Sequence, residues 1–202
     1  MEASVNVLGV VLAGGASRRF GSDKAQAVLA GTPLLERVIA RARRQVGTIA
    51  VSGRDWGAAD VPAIADRAPG QGPLAALADC LAWAEANGFA LVATFACDAP
   101  FFPADLVARL RRTIATADCV MARSNGRGHY AFGLWRPQSA PKVAQALGRG
   151  VRSLRDVESF VSRAFCDFPP GDGPSGDAFF NVNRPQDLAT AQAWLARNRA
   201  AG

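Results

Sequence analysis

Residues 12–24 read LAGGASRRFGSDK and follow an apolar run over residues 5–11 that is typical of a buried strand. The glycine pair at 14–15 carries no Cβ atoms, so its amides can approach a ligand closely, and successive N–H groups in such a bend form an anion-binding concavity. Arg19 and Lys24 add positive charge to the same loop. The stretch therefore predicts a strand that ends in a polyphosphate-binding loop.

The spacing in this loop differs from that of the common phosphate-binding loops. It contains neither GxxxxGK followed by Ser or Thr nor GxGxxG, but GGxxxRxGxDK after a β-run. Glycine pairs also occur in tight turns for purely conformational reasons, with their basic neighbours solvated, and that alternative stays open. The complete spacing favours the phosphate site.

Length and composition bound the class of protein. A chain of 202 residues fits one domain, expected over residues 1–202, and no apolar run approaches the ~20 residues of a membrane span. The N-terminus has no basic leader, so we expect no cleavable signal. Cys80, Cys97, Cys119 and Cys166 lack the spacing of a zinc ribbon or a CxxC redox motif, which predicts a reduced, cytoplasmic compartment.

The net charge of +6 favours an anionic partner. Nucleic acid fits poorly, because the arginines are scattered and no basic stripe is interleaved with aromatic residues. Basic residues cluster near glycines instead, as at Arg149, Arg152 and Arg155. This pattern favours small phosphorylated ligands.

Strands and helices alternate along the chain, which predicts an α/β domain with a mostly parallel central sheet. Predicted strands lie at residues 48–52, 61–66, 90–96, 118–122, 131–135 and 163–168. Predicted helices open at Pro33, Pro73, Pro103 and Pro185, with shorter ones at 139–147 and 153–161. Ligands of such sheets bind outside the carboxyl ends of the strands, and that is where the polar residues singled out below fall.

Two carboxylates and a hydroxyl follow predicted strands. Asp98 comes after the apolar strand 90–96, where a carboxylate is costly to bury without a cation, and Mg²⁺ is the fitting one; the alternative is a helix cap or turn aspartate. Asp66 is placed to bind a base or ribose, or else is an ordinary turn carboxylate. Ser52 ends its strand at a third such position.

Four further side chains are candidates for the site. Lys24 and Arg19 suit charge neutralisation on a reacting phosphate, which together with Asp98 makes them the catalytic candidates. Asn181 and Asn183 bracket Val182 on a predicted strand, so both amides share one face and either contact metal, phosphate or ligand or shape the turn before the last helix. No residue pattern indicates covalent catalysis.

His129 is the only histidine of the chain. A single histidine cannot build a metal cluster, and no Ser-His-Asp arrangement can be assembled around it. We therefore expect a local hydrogen bond or a substrate contact from this residue rather than the role of a catalytic base.

Four motifs together carry a family resemblance that runs from about residue 8 to residue 195. They are LAGGASRRFGSDK, GPLAA at 72–76, ACDAPFFP at 96–103 and FFNVNRPQDL at 179–188. In combination they resemble the molybdenum cofactor guanylyltransferase family within the nucleotide-diphospho-sugar transferase-like superfamily. The resemblance implies a three-layer, Rossmann-like nucleotidyltransferase fold and transfer of GMP from Mg-GTP to the terminal phosphate of molybdenum-molybdopterin, with release of pyrophosphate.

The resemblance also implies a role for each matched residue. Asp66 would contact the nucleotide, Asp98 would bind Mg²⁺, and Arg152 with its neighbours, Asn181 and Asn183 would lie toward the pterin. The guanine and ribose side would be lined by Leu12, Ala13 and Gly14, and the triphosphate side by Gly15, Arg19 and Lys24. Family members often carry Asn where this chain has Ser52, which leaves that base contact open, and Ala76 replaces the last glycine of GPLAG.

The partners implied are GTP, molybdenum-molybdopterin, cofactor-delivery proteins and apo-molybdoenzymes, with neither nucleic acid nor membrane. Two alternatives remain. One is a related nucleotidyltransferase that uses CTP or another phosphorylated acceptor. The other is a non-catalytic basic module that binds a nucleotide or cofactor, which would have no need of both Lys24 and Asp98.

Overall fold

A computed structural model describes residues 6–13, 24–53, 55–57 and 61–199. Gly14, Gly15 and Arg19, on which the phosphate-loop prediction depends, lie outside the described residues.

A seven-stranded sheet forms the centre of the described structure, in the order β5-β4-β1-β6-β8-β7-β9. Strand β8 is antiparallel to both of its neighbours, and the other pairings in the sheet are parallel. The predicted α/β fold with a mostly parallel sheet is therefore confirmed. The sheet strands are β1 (Val7–Leu12), β4 (Thr48–Ser52), β5 (Ala63–Ile64), β6 (Leu91–Ala96), β7 (Cys119–Ser124), β8 (Arg127–Trp135) and β9 (Arg163–Phe168). A separate hairpin pairs β2 (Val28–Leu29) with β3 (Thr32–Pro33).

Helices cover both faces of the sheet, which is why β1 and β6 are buried along their whole length. Alternate residues of β1 enter opposite cores: Leu8 and Val10 face one layer, and Val7 and Val11 face the other. The first core includes α2 (Pro73–Ala86) and α4 (Ala140–Gly148), and the second includes α1 (Leu34–Ala42) and α3 (Leu106–Thr113). Among the described residues, no helix has the length and hydropathy needed to cross a membrane.

A third, smaller core joins three distant parts of the chain. Leu29 of the hairpin, Phe101 after β6 and Val182 before the last helix are all buried in it, together with Ala191 of α5 (Pro185–Arg199). Phe101 also meets Trp194 of α5 edge-on, with the ring centroids 5.0 Å apart. This packing brings the chain's early and late segments to the same end of the sheet.

Several predicted boundaries were wrong, each for a local reason. The helix expected at 153–161 is a single 3₁₀ turn, Asp156–Ser159. Pro33 caps α1 rather than opening it, because residues 32–33 pair with the hairpin strand. Residues 181–183 form no strand, because their buried member, Val182, donates its N–H to the carbonyl of Asp98 rather than to a neighbouring strand.

Candidate functional site

The carboxyl ends of three neighbouring strands meet at one edge of the sheet. Leu12 is paired in register with Ser52 of β4 on one side and with Ala96 of β6 on the other. The residues that follow these positions therefore leave the sheet side by side, and Asp98 comes two residues after β6. This is the edge at which parallel α/β sheets bind ligands.

The end of β4 fixes the exit of β1. Ser52 is buried, and its Oγ accepts a hydrogen bond from the backbone N–H of Ala13 at 3.3 Å. The side chain of Leu12 is buried in the core beneath α2. Both residues thus set the path of the backbone as it leaves β1, and a ligand reaching Leu12 would meet its main chain rather than its side chain.

Lys24, Asp98 and Asn183 come together at this edge from three segments of the chain. The Nζ of Lys24, which opens the 3₁₀ turn Lys24–Gln26, donates to Oδ2 of Asp98 and to Oδ1 of Asn183. The side chains of Lys24 and Asp98 are 14% and 22% exposed. The structure thereby joins residues that sequence reasoning had placed at separate strand and loop ends.

The main chain around Asn183 is tied to the same edge. Val182 donates its N–H to the carbonyl of Asp98 at 2.8 Å. The N–H groups of Asn183 and Arg184 both donate to Oδ2 of Asp187, each at 2.8 Å. Asp187 was missed by the sequence analysis, although an acidic residue at the third position of a helix that opens with Pro185 is the sequence signal of a capping carboxylate.

The oxygens of Asp98 and Asn183 converge on one cation, the Lys24 ammonium. Carboxylate and amide oxygens are hard donors of the kind that Mg²⁺ and Ca²⁺ prefer. Among the described residues, no three His, Cys, Asp or Glu side chains are grouped to hold a metal. A divalent cation at this pair would complete its shell with water and phosphate oxygens, which is how Mg²⁺ is usually held in nucleotide enzymes.

The predicted base-contacting carboxylate, Asp66, forms a local turn. Asp66 lies two residues after the end of β5, and its Oδ1 accepts the N–H of Ala68 at 3.0 Å. The next residue, Arg67, pairs with Asp79 of α2. None of the hydrogen bonds described for Asp66 reaches the Lys24 cluster.

Arg152 is joined to the GPLAA segment through its backbone. Its carbonyl accepts the N–H of Leu74 at 3.2 Å. A Cβ atom at Gly72, whose φ is +86°, would lie only 2.8 Å from the same carbonyl oxygen. The guanidinium donates to the carbonyl of Leu147 near the end of α4 at 2.8 Å and to that of Val151, three residues after the helix, at 2.9 Å. Arg152 thus has a structural role here, and its predicted place toward the pterin stays a prediction.

His129 lies on β8 at the same end of the sheet, where its Nε2 is 2.8 Å from Oγ of Ser124 and its ring stacks on that of Phe179. Burial lowers the pKa of His129; the nearby charge of Asp177 raises it and that of Arg127 lowers it, so the net shift is downward. The expectation of a local hydrogen bond is confirmed. The stacking partner, three residues before Val182, was not foreseen.

Comparison with known proteins gives a consistent answer over the length of the chain. Residues 9–163 match the model of the MobA-like NTP transferase domain. A molybdenum cofactor guanylyltransferase of Rhizobium leguminosarum bv. trifolii is 41% identical over 200 residues, which cover 96% of this chain and 95% of that protein. One of Rhodobacter capsulatus is 36% identical over 200 residues, covering 96% and 99%.

Solved structures show the same fold. Molybdopterin-guanine dinucleotide biosynthesis protein A from Archaeoglobus fulgidus superposes with a TM-score of 0.72 at 21% identity, over 94% of this chain and 99% of that one. The 2-C-methyl-D-erythritol 4-phosphate cytidylyltransferase of Thermus thermophilus superposes with a TM-score of 0.64 at 21% identity, over 98% and 100%. This chain therefore belongs to the MobA-like NTP transferase family, and its fold is that of a nucleotidyltransferase.

Proposed function

We propose that this chain transfers GMP from GTP to the terminal phosphate of molybdenum-molybdopterin and releases pyrophosphate. The observation that carries the chemistry is the convergence of Lys24, Asp98 and Asn183 at the carboxyl edge of the sheet. The choice of substrates is supported by relatives named molybdenum cofactor guanylyltransferases, which match the chain over nearly its whole length.

The reaction needs no nucleophile from the protein. An oxygen of the acceptor phosphate attacks the α-phosphorus of GTP, a new P–O bond forms, and the bond to the bridging oxygen of pyrophosphate breaks. Negative charge grows on the α-phosphate and on the leaving group, so catalysis consists mainly of positioning and of electrostatic stabilisation. A preorganised donor of this kind typically contributes about 3–4 kcal/mol, and Lys24 is placed to be one.

Mg²⁺ fits the oxygen donors present at the site. Asp98 and Asn183 would hold it, and when bound it supplies charge neutralisation to the phosphates of the nucleotide. In the structure the Lys24 ammonium lies between these same two oxygens. If these two oxygens bound Mg²⁺, the Lys24 ammonium would donate to the phosphate oxygens of GTP instead.

The nucleotide is proposed to lie along the ends of β1, β4 and β5. The amides of Gly14 and Gly15 and the guanidinium of Arg19 would bind the triphosphate, and the main chain at Leu12 and Ala13 would border the guanine and ribose. Ser52 would act through the backbone it holds, since its hydroxyl is buried against Ala13. Asp66 would accept hydrogen bonds from the base or ribose with the carboxylate oxygen that its own turn does not use.

The acceptor is proposed to enter beside Asn181 and Asn183, on the side of the segment that contains Arg152. Delivery of the cofactor by a partner protein and passage of the product to apo-molybdoenzymes are further parts of this proposal. No disulfide joins the four cysteines, all of which lie among the described residues, and this fits action in the reducing environment of the cytoplasm.

The experiment follows the label of GTP. Purified protein is incubated with Mg²⁺, molybdenum-molybdopterin and GTP labelled with ³²P at either the α- or the γ-position. We expect the α-label in the dinucleotide product and the γ-label in pyrophosphate. Transfer of the γ-label to the acceptor, or faster turnover with CTP than with GTP, would contradict the proposal, and the CTP result would identify the cytidylyl alternative.

A further inference from the structure

The segment that contains Asn181 and Asn183 has no regular secondary structure, so no hydrogen-bond ladder fixes its backbone. Its end is tied to Asp98 and Asp187 by the backbone hydrogen bonds of residues 182–184. Its beginning is anchored by Phe179, which is 1% exposed. Whatever fixes the ring of Phe179 therefore also limits where Asn181 and Asn183 can lie.

Phe179 is surrounded by three rings. Phe132 and Phe168 meet it edge-on, at centroid distances of 5.1 and 5.5 Å and interplanar angles of 61° and 79°. His129 stacks on it at 4.3 Å with an interplanar angle of 20°, which is the closest of the three contacts. The histidine ring thus forms the flat surface against which Phe179 rests.

His129 is itself held in place by β7. Its Nε2 lies 2.8 Å from Oγ of Ser124, and both residues are buried. The register between β7 and β8 shifts at this point: Met121 pairs with Gly133, and the next residue, Ala122, pairs with His129. A phenylalanine at 129 would stack equally well but would leave the buried hydroxyl of Ser124 without this bond.

Charged groups on three elements surround this stack. Asp177 lies on the loop after β9, Arg127 lies on β8, and the guanidinium of Arg109 of α3 lies 4.2 Å from the centroid of the Phe168 ring. Burial lowers the pKa of His129, which favours the neutral ring. Acidification places a positive charge in the stack that supports Phe179.

We propose that His129 is a positioning residue for the transfer reaction: its ring, oriented by Ser124, fixes Phe179 and thereby the Asn181–Asn183 segment beside Asp98. This inference rests on the proposed function, because it assigns His129 a task in that reaction. It involves no contact of His129 with substrate and no proton transfer to it.

The test compares His129→Ala with a matched loss of ring stacking elsewhere. Trp83 and Phe89 also stack, at 5.8 Å and 24°, but near the end of α2 and before β6 begins, at the opposite edge of the sheet. Three quantities are measured for wild type, His129→Ala and Phe89→Ala. They are the thermal midpoint, the Kd of Mg·GTP and kcat with saturating acceptor. A displacement of about 1 Å in a catalytic group lowers rates by about 100-fold.

We expect both alanine variants to lose thermal stability, but only His129→Ala to lose kcat, by about 10- to 100-fold. Phe89→Ala should stay within about twofold of wild type. Equal kcat losses in the two variants would reduce His129 to an ordinary core residue and overturn the inference.

A second variant keeps the inference testable if His129→Ala does not fold. His129→Phe retains the ring but neither titrates nor bonds Ser124. We therefore expect its kcat at high pH to lie below that of wild type by less than about tenfold, because the ring is kept but not oriented, and we expect a shallower decline toward low pH. Identical pH profiles for wild type and His129→Phe would contradict the inference. A wild-type protein that neither binds Mg·GTP nor turns over would refute the proposed function instead.

Discussion

The chain has two lysines, and each pairs with an aspartate beside a strand of the central sheet. Lys24 pairs with Asp98 just after β6 ends, whereas Lys142 pairs with Asp118 just before β7 begins. Because β6 and β7 run in the same direction, the two pairs lie at opposite edges of the sheet. The two ion pairs have the same chemistry, but the groups that surround them differ.

Donors surround Asp118. Its Oδ2 accepts the N–H of Ser162 at 2.7 Å, the hydroxyl of Ser162 at 3.0 Å and the ammonium of Lys142 at 2.8 Å. Burial by itself would raise the pKa of Asp118, but the hydrogen bonds from Lys142 and Ser162 outweigh it and lower the pKa. Both oxygens of this carboxylate thus accept hydrogen bonds, as expected for a structural pair.

At the other pair, a second acceptor lies beside the carboxylate. Oδ1 of Asn183 contacts the same ammonium as Asp98, at 2.5 Å. Carboxylate and amide oxygens that converge from distant segments on one cation are the donors that a divalent metal prefers. We therefore expect the surroundings, rather than the ion pair itself, to distinguish the proposed functional site from the structural pair.

The largest difference is expected when each aspartate is changed to asparagine. Asp98→Asn should lower turnover by about 1000-fold or more, because the site loses the carboxylate that pairs with Lys24 and is proposed to bind the metal. Asp118→Asn should leave turnover within about twofold. Steady-state pyrophosphate release measures both, and comparable turnover in the two variants would erase the distinction between the pairs.

The two lysines give the next contrast. Lys24→Met should lower kcat/KM by about 100- to 1000-fold, since one preorganised donor to the phosphates is lost, while Lys142→Met should change it little. Removal of the competing ammonium should also let Lys24→Met bind Mn²⁺ without nucleotide more tightly than wild type. Weaker Mn²⁺ binding by Lys24→Met, seen by electron paramagnetic resonance, would show that the ammonium does not occupy the cation site.

The neighbours of the two pairs should separate function from stability. Asn183→Ala should weaken binding of Mg·GTP by about tenfold, as expected for loss of one metal-site oxygen. Ser162→Ala removes one donor from Asp118 and should affect only the free energy of unfolding, by about 1 kcal/mol. Calorimetry with Mg·GTP and urea unfolding measure the two effects, and an unchanged Kd in Asn183→Ala would remove that residue from the site.

The smallest effect concerns pH. Because the pKa of Asp118 is lowered in the folded protein, its contribution to stability is present above its unfolded value of 3.8 and is lost as the pH falls through the lowered value. The stability advantage of wild type over Asp118→Asn should therefore be constant near neutrality and shrink below about pH 4. A stability advantage of wild type that grows as the pH falls would contradict this prediction.

Much of the fold could be predicted because its signals are local. The apolar runs of β1 and β6, with no polar alternation, indicate strands buried on both faces, and Pro73 marks the first residue of α2 as observed. Asp98 stood out as a carboxylate after an apolar strand, and Lys24 as a basic residue in the loop that contains the glycine pair.

The rest depends on long-range contacts. The bond between Lys24 and Asn183 joins residues 159 positions apart, and no local pattern encodes it. The strand predicted at 181–183 failed because a strand needs a partner, and Val182 finds the carbonyl of Asp98 instead. The stack of His129 on Phe179 likewise joins residues that are 50 positions apart in the chain.

Titration of Mn²⁺ in the presence of GTP decides whether the Asp98 edge of the sheet binds the metal of the nucleotide. Electron paramagnetic resonance would follow the bound ion in wild type, Asp98→Asn and Asp118→Asn. We expect Asp118→Asn to match wild type and Asp98→Asn to bind at least about tenfold more weakly. Equal affinity in the two variants would contradict the account.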